Sequence, residues 1–346
     1  MKDILDYSLF HHNTFGISAR CRRFLEFATV GEAVEAARII RSSDMPFLII
    51  GGGSNLLLTK DFDGIVVRSA IRGIDNVEAE DASISPRLLC GSGEKWDNVV
   101  AESLRRKCFG AENLSLIPGD VGASVVQNIG AYGVEVKDLV ARVEAVSIAD
   151  GEVKWFDCAD LGYGYRDSRF KHDLKNRFLI TQVEYRFSSE FQPRLDYGNL
   201  RRELAGRGFA GEDVSAKLTA EQLREVVIAV RQAKLPAPEV LGNAGSFFMN
   251  PVVSQEKLAE LIADYPEMPH YQSGTQGVKV PAGWLIDQCG WRGRSLGRAG
   301  VYERQALVLV NLGGAEGCEV VDLCHKIQAD VKAKFGITIT PEVNIV

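Results

Sequence analysis

Three glycine runs stand where the chain could fold around an anion. Gly51-Gly52-Gly53-Ser54-Asn55 follows the apolar run Phe47-Leu48-Ile49-Ile50, and Gly91-Ser92-Gly93 follows Leu88-Leu89-Cys90. The third is Ile117-Pro118-Gly119-Asp120-Val121-Gly122-Ala123. Glycine lets main chain come close to a ligand and take positive φ, so successive N–H groups can converge on charged oxygens. Ser54 and Asn55 add a hydroxyl and a carboxamide behind the first turn. That pattern suits a diphosphate cradle, and it equally suits a tight turn. Neither G-x-G-x-x-G at the head of a helix nor G-x-x-x-x-G-K-[ST] occurs, which disfavours a Rossmann dehydrogenase and a P-loop kinase. Arg166 offers a permanently charged planar fork for a carboxylate, and by type alone could instead pair with Asp167 on a surface. Ser246 lacks the G-x-S-x-G elbow and has no histidine partner nearby in sequence, which argues against a hydrolytic nucleophile.

The remaining chemistry-bearing residues exclude more than they suggest. The seven cysteines contain no C-x-x-C pair, and the five histidines do not group at ligand spacing, so neither a disulfide framework nor a metal site is expected. A formal charge of −6 without a long Lys/Arg run disfavours nucleic acid, and an anionic ligand would need local cations. No apolar stretch reaches the roughly 20 residues of a membrane span. Met1 to Asp6 lacks the apolar core of a signal peptide, so a cytoplasmic location is expected.

With 346 residues the chain should fold as two or three packed units. Thr29 and Glu32 have capping-box spacing before Val30, Ala33, Val34 and Ala37, which predicts a helix. Strands are predicted at Phe47 to Ile50, Gly64 to Arg68 and Leu88 to Cys90, and a helix from Trp96 to Arg106. Further strands are expected around 139–148, 152–156 and 178–187; the last alternates Leu179, Thr181, Val183, Tyr185 and Phe187 on one face. Residues 188–218 read as polar and glycine-bearing. Thr219 and Gln222 then open a helix, and Pro236 and Pro238 mark the approach to a second domain. Beyond it, helices are expected near 254–264, 282–289 and 316–335, with strands near 306–311 and 337–345. Mixed strands and helices without strict alternation make the fold class α+β.

The stretch Ile117 to Gly133, with Gly51 to Asn55 upstream, resembles the flavin-binding region of the UDP-N-acetylenolpyruvoylglucosamine reductases. Five more motifs resemble that family in the same order: Gly162-Tyr163-Gly164-Tyr165-Arg166-Asp167-Ser168, Arg231 to Pro236, Gly242 to Pro251, Gly283 to Asp287, and Pro341-Glu342-Val343. The resemblance covers nearly the whole chain. It implies a two-lobed FAD-binding domain of the vanillyl-alcohol oxidase (PCMH) type plus a C-terminal α+β substrate-binding domain. Residues 1–70 would form one FAD lobe and 71–235 the other, with an insertion at 188–218. Residues 236–335 would bind substrate, and a strand at 336–346 would return to the active site. The insertion and Tyr271 resemble the branch with a substrate-covering tyrosine loop.

The implied activity is NADPH-dependent reduction, through non-covalent FAD, of an enolpyruvyl sugar nucleotide in peptidoglycan precursor synthesis, by a monomer. By the resemblance, Gly51, Gly52, Gly53, Ser54, Asn55, Pro118, Gly119, Gly122, Ala123, Gln127, Asn128, Gly130, Ala131 and Tyr132 hold FAD. Arg166 and Glu342 support the substrate carboxylate and the charge developing beside it, and Ser246 gives the proton. A bare Glu342 carboxylate would repel that charge, so it should carry or share a proton, which requires burial. Tyr132, Tyr165, Tyr197, Lys234, Asn250, Tyr271 and Gln305 would contact the sugar nucleotide. Phe247, Phe248 and Trp284 read as core. Met249 departs from the family, where a lysine commonly precedes the Asn-Pro. An FAD-dependent sugar or alcohol oxidase of the same superfamily, and a sugar-nucleotide sensor without turnover, are the competing readings.

Overall fold

The computed structural model describes residues 1–78, 85–196, 200–209, 211, 214–273 and 277–346. They divide into two compact units. The first comprises Met1–Tyr7, Cys21–Gly52 and Phe62–Arg231; the second comprises Ser8–Arg20, Gly53–Asp61 and Gln232–Val346.

The first unit is built on two sheets. In one, Arg20–Phe27, Phe62–Ser69 and Phe47–Ile50 run parallel, with Lys2–Ser8 at the edge. Parallel strands are covered on both faces, which is why Ile65, Val66 and Val67 form an unbroken buried apolar run. The other sheet is antiparallel, in the order Val153–Asp157, Val140–Ser147, Phe178–Arg186, Arg87–Gly91, Ile74–Asn76. The helix Val30–Arg41 starts where Thr29 Oγ1 accepts from the Glu32 N–H at 3.1 Å. Its Ala33, Ala36, Ala37 and Ile40 share one core with Leu25 and Val67 of the parallel sheet and Val146 and Leu179 of the antiparallel sheet. Alanines on that face let both sheets approach the helix closely.

A second core holds the helices Trp96–Arg105 and Val121–Gln127 against the antiparallel sheet, through Trp96, Val99, Val100, Val121, Val125, Leu88, Val183 and Tyr185. The polar atoms of Trp96, Ser124 and Tyr185 are satisfied within it. Trp96 Nε1 donates to Leu114 O at 2.9 Å, and Ser124 Oγ donates to Val121 O at 2.7 Å. The Ser124 proton is thereby used, so the Tyr185 hydroxyl, 3.0 Å from Ser124 Oγ, is the donor between them.

The stretch 188–218 differs from its polar reading. It carries two short helices, Leu200–Ala205 and Val214–Lys217. Leu195, Leu200, Leu204, Val214 and Leu218 pool with Leu223, Val226, Val227 and Val230 of the helix Ala220–Lys234 into a separate core. Each short helix has too few apolar residues to show a period. Only the long helix completes the apolar surface. The Thr219–Gln222 cap is reciprocal, Thr219 N to Gln222 Oε1 at 2.9 Å and Gln222 N to Thr219 Oγ1 at 3.2 Å.

In the second unit the sheet Gly242–Ser246, Val308–Asn311, Ala299–Val301, Ser295–Leu296 is antiparallel and packs against the helix Gly317–Phe335. A smaller sheet orders Val252–Val253, Gly277–Lys279 and Tyr271–Ser273. The strand expected at 337–345 is shorter. Only Asn344–Ile345 pairs in a ladder, parallel to Leu56–Leu57. Pro341 has no N–H to give to a ladder, and it meets the chain only in an isolated bridge to Phe248. All seven cysteines are free thiols.

Candidate functional site

In the first unit the three glycine turns meet. The Gly122 N–H donates to Ser92 O at 2.8 Å and the Val121 N–H to Glu94 O at 2.9 Å, which stitches the second turn to the third. Gly51 and Gly52 pass so close that side chains would collide. A Cβ on Gly51 would lie 2.9 Å from Ala123 Cβ, and one on Gly52 would lie 3.2 Å from Gly119 Cα. One on Gly122 would lie 3.0 Å from Ser92 Cβ.

Under this junction sits Asp120, 2% exposed. It accepts from Lys95 Nζ at 2.9 Å and from an Arg68 Nη at 3.3 Å, and Arg68 continues to Glu26. A buried carboxylate of this kind persists only when paired. Here its two partners come from two distant segments, Lys95 from the N-cap of the helix Trp96–Arg105 and Arg68 from the strand Phe62–Ser69.

The helix Val121–Gln127 ends at Asn128, which is fully buried and left-handed at φ +45°. Both ends of the Asn128 amide have partners within the protein. Nδ2 donates to Gly164 O at 2.6 Å, and Oδ1 accepts from the Lys137 N–H at 3.2 Å. Gln127, one residue earlier, keeps a buried Oε1 without a hydrogen-bond partner among the described residues. The next hairpin pairs Gly130–Ala131 with Val134–Glu135 and turns at Tyr132 and Gly133, φ +49° and +82°. Positive φ at both central residues is the primed turn that suits a tight hairpin. Asn113 Nδ2 holds this turn, donating to Tyr132 O at 2.8 Å and to Arg194 O at 2.9 Å. Tyr132 packs against the Leu195–Val230 core.

Arg166 lies in this same unit. Its Nη2 donates to Gly130 O at 2.7 Å and its Nη1 to Asn128 O at 3.4 Å, which aims the guanidinium along the hairpin. Asp167, the neighbour in sequence, lies 2.7 Å from His172 Nε2. Tyr165, 43% exposed, lies with its ring 5.6 Å from the Arg166 guanidinium carbon.

Arg231 is a functional candidate that the sequence reading passed over, although it opens the Arg231 to Pro236 motif. Burial opposes its positive charge and lowers its pKa; Tyr132 and Asp97 counter that, and the nearby charge of Arg166 adds to it. Burial likewise raises the Tyr132 phenol, with Arg231 acting the other way. Two guanidiniums and a phenol thus share one electrostatic neighbourhood. Asp97 anchors it, accepting from Arg224 at 2.8 and 2.9 Å and from the Leu116 N–H at 2.6 Å.

In the second unit Ser246 ends the strand Gly242–Ser246, exposed, after Gly245 at φ +69°. A register shift between Asn243 and Ser246 turns the chain there. Asn243 fixes the bulge: its Oδ1 accepts from the Gly245 N–H at 2.9 Å, and its Nδ2 donates to Leu241 O at 2.8 Å. Phe247 and Phe248 are core, packed edge-on at 5.2 Å, and Trp284 packs on Tyr265 and Phe335.

Glu342 is brought to the same place. Its N–H donates to Phe247 O at 2.8 Å, its carbonyl accepts from Asn55 Nδ2 at 3.3 Å, and the Met249 N–H donates to Thr340 O at 2.9 Å. Gly53 and half-buried Ser54 precede Asn55 in this unit. Gly53 can only be glycine, since a Cβ would stand 2.0 Å from His12 O.

Asn250 Oδ1 accepts from the Ala282 N–H at 2.9 Å at the head of the helix Ala282–Gln288, and Gln305 Oε1 accepts from the Leu307 N–H at 3.4 Å. Lys234 ends the helix Ala220–Lys234, and Tyr271 is 50% exposed in its strand. Tyr197 lies outside the described residues, and exposed Pro118 precedes the Gly119 turn.

A parallel and an antiparallel sheet around one helix, with a glycine junction too tight for ordinary side chains and a buried amide oxygen on the helix that follows it, fit an FAD-binding α+β protein. Residues 22–157 match the family described as FAD binding domain. The crystal structure of 6-hydroxy-D-nicotine oxidase from Arthrobacter nicotinovorans shares the fold, with a TM-score of 0.54 at 13% identity over 97% of this chain and 86% of that one. Residues 236–346 match the family described as UDP-N-acetylenolpyruvoylglucosamine reductase, C-terminal domain. The reductase structure from Thermus caldophilus aligns with a TM-score of 0.66 at 22% identity, over 99% of this chain and 98% of that one. The reductase of Bacteroides fragilis is 50% identical over 343 residues, 98% of this chain and 99% of its own. That of Burkholderia pseudomallei is 46% identical over 337 residues, 97% and 95%. The chain belongs to the UDP-N-acetylenolpyruvoylglucosamine reductase family, FAD-dependent oxidoreductases.

Proposed function

We propose that this protein reduces UDP-N-acetylglucosamine enolpyruvate to UDP-N-acetylmuramate with NADPH, as a cytoplasmic monomer in peptidoglycan precursor synthesis. Residues 1–70 and 71–235 form the two FAD lobes in this reading, residues 236–335 bind the sugar nucleotide, and 336–346 return to the reaction centre. The glycine turns at Gly51–Gly52 and Gly119–Ala123 receive the diphosphate, and Gln127 and the Gly130–Tyr132 hairpin hold the ring system. Transfer of a hydride from NADPH to the terminal vinyl carbon is the chemistry that FAD supplies when bound.

The other steps belong to side chains. Arg166 holds the substrate carboxylate in its fork and opposes the charge that grows on it. Ser246 gives a proton to the adjacent carbon; a hydroxyl does this only where water is kept out. Glu342 stands over the same carboxylate with a shared proton. Lys234, Asn250, Tyr271, Gln305, Tyr165, Tyr132 and Tyr197 take the sugar nucleotide. Asn250 does so through its remaining amide donors, since its oxygen already serves Ala282. Met249 removes a cation from this set, so more of the binding falls to Lys234.

The observation that carries the role assignment is the joining of Ser246 and Glu342 through Phe247, although 96 positions of sequence separate them by number (342 − 246). The visible spectrum of the purified protein followed during NADPH addition tests the reaction. A flavin band that bleaches with NADPH and recovers with the enolpyruvyl sugar nucleotide is expected. A colourless protein that binds the sugar nucleotide would instead be the sensor, and bleaching by a sugar or alcohol followed by recovery with oxygen would make it the oxidase.

A further inference from the structure

We infer that Lys171 is a positioning residue for Arg166: it holds the left-handed backbone from which the arginine reaches the substrate carboxylate. The inference rests on the reading of Arg166 as the carboxylate clamp.

Gly164 and Asp167 close a two-residue turn, Gly164 N–H to Asp167 O at 3.0 Å and Asp167 N–H to Gly164 O at 3.2 Å. Tyr165 and Arg166 occupy the loop, and Arg166 has φ +54°. A turn with positive φ at its second loop position ordinarily takes glycine or asparagine, because an L side chain is strained there. Arginine at this position trades backbone comfort for a guanidinium, and such strain persists only where the surroundings over-determine it.

Two hydrogen bonds do so. Asn128 Nδ2 holds the first carbonyl of the turn, Gly164 O, at 2.6 Å. Lys171 Nζ donates to Arg166 O at 2.8 Å from the short turn Arg169–Lys171. The guanidinium is fixed separately, at Gly130 O and Asn128 O. Lys171 therefore sets where the arginine's backbone sits and Gly130 sets where its fork points. Relief of φ at Arg166 would flip the preceding peptide, between Tyr165 and Arg166, whereas Lys171 fixes the following one through the Arg166 carbonyl, so the ammonium limits how far the arginine's backbone can move. A charged donor makes that hold stronger than a neutral one.

The test is stopped-flow on the flavin-loaded enzyme, with calorimetric titration of the enolpyruvyl sugar nucleotide as a readout independent of turnover. Lys171→Met should slow recovery of flavin absorbance by the substrate at least about tenfold and weaken its binding, leaving bleaching by NADPH within about twofold. Lys171→Arg keeps a charged donor and should restore most of the loss. Because Lys171 acts through Arg166, Lys171→Met placed on Arg166→Gln should add no further loss to the substrate step. An unchanged substrate step in Lys171→Met, a parallel fall of both half-reactions, or additive losses in the double variant would each overturn the inference. Should Arg166→Gln alone leave the substrate step at its normal rate, the reading of Arg166 falls and takes this inference with it.

Discussion

The Glu342 N–H donates to the carbonyl of Phe247, the residue that follows Ser246, at 2.8 Å. Through this bond the end of the chain and the strand Gly242–Ser246 set the proposed acid and the proposed proton donor on one stretch of backbone. Asn55 grips the other side of Glu342, so the glutamate is held from both directions. Hydrogen bonds of this sort matter less for stability than for placing a side chain within the tolerance that catalysis demands.

Removing the Asn55 carboxamide should therefore loosen Glu342 without unfolding the second unit. Asn55→Ala is expected to cost about 1 kcal/mol of stability and to slow the substrate half-reaction by about tenfold. Thermal unfolding and stopped-flow check the two parts separately. A normal substrate step would mean that Glu342 needs no such support.

The cradle predicts a glycine requirement. In Gly51→Ala the new methyl would lie 2.9 Å from Ala123 Cβ, so the turn or the helix start must shift. The ratio of flavin to protein after purification should fall while unfolding stays cooperative. Gly206→Ala, whose added methyl would meet nothing nearer than 3.6 Å, should keep a full complement of flavin.

Arg166 should carry measurable backbone strain. Arg166→Ala and Arg166→Gly both lose the guanidinium, so their difference isolates φ +54°. The glycine variant should be the more stable by about 1 kcal/mol, read as a higher unfolding midpoint. Equal midpoints would mean that the turn is not strained.

Acid should release the Asp97 anchor. Burial pushes this carboxyl up, but the hydrogen bonds from Arg224 and Leu116 outweigh it and leave the pKa lowered. A lowered folded-state pKa gives stability that is present above the unfolded value and is lost as pH falls through the folded one. Asp97→Asn should thus be destabilised by about 1–2 kcal/mol at neutral pH. The gap to the parent protein should shrink once pH drops below about 4. A gap that stays constant down to strong acid would show that charge on Asp97 is not what holds Arg224.

Much of this fold was legible residue by residue. Thr29 and the alanines behind it announced the helix Val30–Arg41, and the alternation Leu179, Thr181, Val183, Tyr185 announced a buried strand face. The glycine runs were legible as turns, and their meeting was not, because it depends on parallel pairing of strands distant in sequence. The helices within 188–218 escaped because their apolar residues complete a surface begun by Leu223 to Val230. Arg231 escaped for a related reason. Residue type says that an amide or a guanidinium will find partners, but only the tertiary fold decides that Asn128 serves Gly164 and that Arg231 sits beside Tyr132.

In the proposed reaction Ser246 supplies the proton after hydride has reached the vinyl carbon. Stopped-flow on Ser246→Ala, with NADPH first and the enolpyruvyl sugar nucleotide second, tests it most directly. Bleaching by NADPH at the parent rate is expected, with recovery by the substrate slowed by about 10² or more. Recovery at the parent rate, or equal loss in both steps, would contradict the account.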